Sequence, residues 1–114
     1  MTINEYQQLA RRTSNNQLSQ SDHLINGALG LCGEAGEVAD LIKKATMQGH
    51  VLDRERVCEE LGDVCWYLAE TAIALGISLD DIMQCNIAKL RRRYPDGFDP
   101  ERSVHREEAD NDNQ

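Results

Sequence analysis

The chain has 114 residues, 40% of them hydrophobic, which is room for one domain with a single core. A formal net charge of −8 argues against a nucleic-acid-polymer binder, which would normally carry a basic face. No apolar run approaches membrane-spanning length, and Met1–Asn16 is polar with no signal core, so a soluble cytoplasmic protein is expected.

Strand patterns are nearly absent and helical periodicity is plain. A first helix is predicted from Thr2, a good N-cap, to about Ser14. After a polar connector over 15–21, Asp22 can cap a second helix that reaches about Met47 and ends at Gly49. Asp53 can cap a third helix to Leu75, with Gly76 just past its end. Ser78-Leu79-Asp80-Asp81 opens a fourth helix to about Arg93, stopped by Tyr94-Pro95. The expectation is an all-α, four-helix-bundle-like domain over 1–98, then an irregular, flexible acidic tail over 99–114. Cys32, Cys58, Cys65 and Cys85 form no C-x-x-C pair, and each reads as a small buried apolar residue.

Helical rotation shows where the acids fall. On the third helix Val57, Leu61, Val64, Cys65, Leu68, Ala72 and Leu75 form an apolar arc, with Glu60 about 40° beyond its edge and Asp63 further round. On the second, Leu24, Ile25, Ala28, Leu31, Cys32, Ala35, Val38, Ala39 and Ile42 form the arc. Glu34 lies about 40° past its edge, and Glu37 follows. Each helix therefore carries an acid pair at i, i+3, on one face. Packing arc against arc would bring the two pairs together at the rim of the core. Crowded carboxylates repel, and a hard cation such as Mg²⁺ relieves that repulsion. Solvated helix-face acids are the competing explanation, and rotation alone leaves both open.

Gly27, Gly30, Gly33 and Gly36 recur every third residue, each costing about 1 kcal/mol relative to alanine. Either a crossing helix or a bound nucleoside would explain so close an approach to the backbone. On the fourth helix Asn86 sits within the apolar arc, with Lys89 and Arg93 on the same strip, where they can meet phosphate oxygens. Dipole complementation at the helix C-terminus is the alternative for this basic run. His23, His50 and His105 are assigned surface or loop roles, and Lys43-Lys44 a solvated helix end.

Gly33-Glu34-Ala35-Gly36-Glu37-Val38, Glu59-Glu60-Leu61-Gly62-Asp63-Val64 and Asn86-Ile87-Ala88-Lys89-Leu90 with Arg93-Tyr94-Pro95 resemble the MazG-like all-α NTP pyrophosphohydrolases. The likeness runs from about Leu24 to Phe98. It implies Mg²⁺, with Mn²⁺ as a substitute, on Glu34, Glu37, Glu60 and Asp63, which are also the catalytic set. It implies triphosphate contacts from Asn86 and Lys89, to which Arg93 is added from its place on the strip. The implied reaction cleaves a (d)NTP between the α and β phosphates, with one carboxylate, Glu34, taking the proton of the attacking water. A homodimer or homotetramer is implied too, and the apolar Trp66, Ala69 and Ile73 beyond the third helix's arc suit such an interface. Rival readings are a narrower-substrate relative, of the phosphoribosyl-ATP pyrophosphohydrolase or dimeric dUTPase type, and a non-catalytic helical interaction module.

Overall fold

A computed structural model describes residues 1–106. The protein is all-α: α1 (Ile3–Arg11), α2 (Gln20–Met47), α3 (Arg54–Ala74), α4 (Leu79–Arg93) and α5 (Pro100–Val104), with no strand among the described residues. The expected flexibility of the acidic end falls partly on 107–114, which lie outside the described residues. Within 99–106 the chain is not irregular throughout, because Asp99 caps α5 and Pro100 sits in its first turn.

Capping side chains set the helix starts. Thr2 Oγ1 accepts the Glu5 N–H at 3.1 Å, and Asp53 Oδ1 accepts that of Arg56 at 3.2 Å. α2 begins earlier than Asp22 predicts. Ser19 is its N-cap, accepting the Asp22 N–H at 3.1 Å, so Asp22 acts inside the first turn, where its charge suits the helix dipole. α3 ends in a Schellman motif: Ile77 N–H reaches Ala72 O at 3.0 Å and Gly76 N–H reaches Ile73 O at 3.0 Å, with Gly76 at φ +72°.

Two compact units make up the chain, Met1–Leu79 and the residues from Asp80 onward. In the first, α3 packs against both α2 and α1. Its core is thin: Ala10, Ala69, Ala72 and Leu79, with Ile3, Tyr6 and Trp66 half-buried around them. Gln7 ties α1 to the start of α4, donating to Ile77 O at 3.1 Å and accepting Leu79 N–H at 2.8 Å. In the second unit, the rings of Tyr94 and Phe98 pack at 5.6 Å across a turn with Gly97 at φ +93°.

The apolar arcs of α2 and α3 do not pack on each other. α2 instead meets α3 along the edge that carries Gly27, Gly30 and Glu34, because glycine lets the backbones approach where leucine would hold them apart. Leu24, Ile25, Ala28, Cys32, Ala35, Ala39 and Ile42 on α2, and Leu61, Cys65 and Leu68 on α3 with its C-cap Leu75, are left exposed. The four cysteines are accordingly exposed and unpaired rather than buried. Trp66 and Ala69 face α1 within the chain: Ala69 is fully buried, and Trp66 Nε1 donates to Thr13 Oγ1 at 2.7 Å.

Candidate metal centre

Along the antiparallel α2–α3 seam, Gly27 lies against Thr71 and Gly30 against the Tyr67 ring, so the crossing helix explains these two glycines. Gly33 and Gly36 have nothing within 4 Å of where a Cβ would stand. One turn further along α2, Glu34 meets Glu60 and Asp63, and these three each offer a carboxylate oxygen within 4.8 Å of the others. Glu37, one turn on from Glu34, is exposed and outside that set of three, although its charge is felt at Glu34.

The trio bears the marks of a cation site. Glu34 Oε2 is buried with no hydrogen-bond partner among the described residues. A hydrogen bond shared with Glu60, burial, and the negative charges of Glu60, Asp63 and Glu37 push the Glu34 carboxyl up to about 7. Three crowded oxygen donors with one orphaned lone pair fit a hard divalent cation, which accepts carboxylates and keeps positions for water and phosphate.

Asn86, Lys89 and Arg93 lie at i, i+3 and i+7 on α4, along one strip, as their spacing predicts. Asn86 is exposed, and Lys89 and Arg93 are half-buried. The Arg93 carbonyl accepts from Arg102 Nη1 at 3.3 Å, which ties α5 to the end of α4. Lys43 and Lys44 are not simply solvated: both pair with Asp40, at 3.3 and 2.8 Å, and hold its carboxyl below its ordinary range.

Two residues near the seam escape sequence reasoning. Glu70, 3% exposed, accepts from Ser14 Oγ at 2.9 Å and pairs with His23 Nδ1 at 2.6 Å, so His23 is half-buried and tied to the interior rather than simply solvated. Its one signal is the i, i+7 spacing from Asp63, which sets both on one line of α3. Tyr6 is the other: burial, then the charges of Cys65 and Asp63, raise its phenol, which marks α1 as a neighbour of the acidic end. Nothing in the sequence alone couples α1 to that end.

Three carboxylates from a two-helix seam thus close on one point, an arrangement that can hold a divalent cation in an all-α protein. Residues 24–98 match the MazG nucleotide pyrophosphohydrolase domain, and the chain belongs to that family. It is also similar to the Gene 37 protein of Mycobacterium phage L5, 38% identical over 73 residues, covering 60% of this chain and 64% of that one. The match thus spans less than two thirds of that relative's length. No solved structure matches. Among the described residues no helix is long and apolar enough to cross a membrane.

Proposed function

We propose that the protein hydrolyses nucleoside triphosphates between the α and β phosphates, releasing a nucleoside monophosphate and pyrophosphate. The observation that carries this reading is the closure of Glu34, Glu60 and Asp63 within 4.8 Å, with Glu34 Oε2 buried and unsatisfied, in a chain of the pyrophosphohydrolase family.

Glu34, Glu60 and Asp63 would hold Mg²⁺, with Mn²⁺ as a substitute, and Glu37 would join them when substrate brings further oxygens to the site. The cation supplies neutralisation of phosphate charge and a lowered pKa for water. Glu34 would accept the proton of the attacking water. Lys89 and Arg93 meet phosphate oxygens as a point charge and a fork, and the Asn86 amide supplies an oriented donor beside them.

The test is a screen of ordinary, deoxy and modified NTPs with Mg²⁺. Monophosphate and pyrophosphate are expected, while diphosphate and inorganic phosphate would refute the assigned bond. Glu60→Gln should lower kcat/KM at least a hundredfold and abolish the rise in melting temperature that Mg²⁺ produces. If wild type showed neither turnover nor stabilisation by Mg²⁺, the interaction-module reading would replace this one.

A further inference from the structure

We propose that Gly30 and Tyr67 together act as a spacer that sets the width of the carboxylate centre, and with it the preference for a small divalent cation. This rests on the metal reading above and adds to it the origin of ion selectivity.

Where the Tyr67 ring lies on Gly30, a Cβ at position 30 would overlap the ring itself. The ring has little room to swing away. It stands edge-on to Trp66, with centroids 4.9 Å apart and planes at 84°, and Trp66 is in turn held by its 2.7 Å bond to Thr13. At Gly27 the limit is backbone, since a Cβ there would stand 3.2 Å from Thr71 Cα besides overlapping its hydroxyl. The two contacts therefore fix how closely α2 and α3 approach.

Glu34 follows Gly30 by four residues, and Asp63 precedes Tyr67 by four, so each ligand lies about 6 Å along its helix from the contact. A helix is stiff over one turn. Parting the backbones at Gly30 must widen the gap between Glu34 and the Glu60–Asp63 pair. Mg²⁺ requires oxygens at about 2.1 Å in near-ideal octahedral geometry, whereas Ca²⁺ accepts about 2.4 Å and irregular shells. A widened centre should thus lose Mg²⁺ before it loses Ca²⁺.

The experiment follows the melting temperature of the metal-free chain against MgCl₂ and against CaCl₂, reading the concentration of each ion that gives half the maximal stabilisation. Gly30→Ala should raise the Mg²⁺ midpoint at least tenfold relative to the Ca²⁺ midpoint. Tyr67→Phe keeps the ring and should leave the ratio unchanged. Adding Tyr67→Val to Gly30→Ala makes room for the new methyl and should recover at least half of the shift, on a logarithmic scale. If Gly30→Ala does not fold, Tyr67→Val alone carries the test, because loss of the wedge should move the ratio at least threefold. A wild-type ratio in folded Gly30→Ala, or in Tyr67→Val should that variant have to stand alone, overturns the spacer. A wild-type chain that responds to neither ion overturns the metal reading, and the spacer with it.

Discussion

In the metal-free protein Glu34 holds its proton up to about pH 7, against an ordinary value of 4.5. Between those values the folded chain binds more protons than the unfolded one at this site, so stability falls as pH rises. Glu34→Gln imitates the protonated form and removes that slope. Without metal, melts should show the variant gaining on wild type from pH 4.5 to 7, with no further gain above. Added Mg²⁺ needs the carboxylate, so its stabilisation of wild type should grow over the same window and be absent in the variant. Glu70 acts differently. It is buried and already partnered by Ser14 and His23, which belong to the α1–α2 connector and to α2. Glu70→Ala leaves both partners without their acceptor, and chemical denaturation should show a loss of about 2 kcal/mol.

At the scale of elements, the helices follow from local chemistry. Thr2, Asp53 and Gly76 sit where capping rules place them, and α4 runs to the residue before Tyr94-Pro95. Gly76→Ala forces a methyl into left-handed backbone and should cost about 1 kcal/mol, read as a lower denaturation midpoint with an unchanged slope. Ser19 was less legible, because the polar run from Asn15 to Ser21 offers several competent caps and only the tertiary path chooses among them. Of the four acids that the i, i+3 pairs marked, Glu34, Glu60 and Asp63 converge and Glu37 does not. What periodicity could not show is which edge of each helix forms the seam. A wide apolar arc looks like the packing face, yet the glycines permit a closer approach along its margin, and closeness decided the contact. The arc then became an outer surface, which is why Cys32 and Cys65 lie outside.

For the molecule as a whole, the exposed arcs of α2 and α3 are the largest unexplained cost. Ile25 is 56% exposed and Leu29, just past the edge of the α2 arc, is 69% exposed, on a helix otherwise well supplied with small residues. A second copy of the chain is the occupant we expect, since contiguous apolar surface on this scale marks an interface. Sedimentation should report a multiple of the 12.8 kDa chain, and Leu29→Glu should shift it toward a single chain. The same variant should lower the melting temperature, which separates an interface residue from a tolerant surface site.

The smallness of the alanine-lined core has a bearing on how the protein must be handled. With no large side chain fully enclosed among the described residues, we expect much of the folding free energy to come from subunits meeting one another. Dilution then becomes a denaturant. Melting temperature should climb with protein concentration, and turnover per chain should drop at nanomolar levels, where each polypeptide parts from its fellows and its shape together.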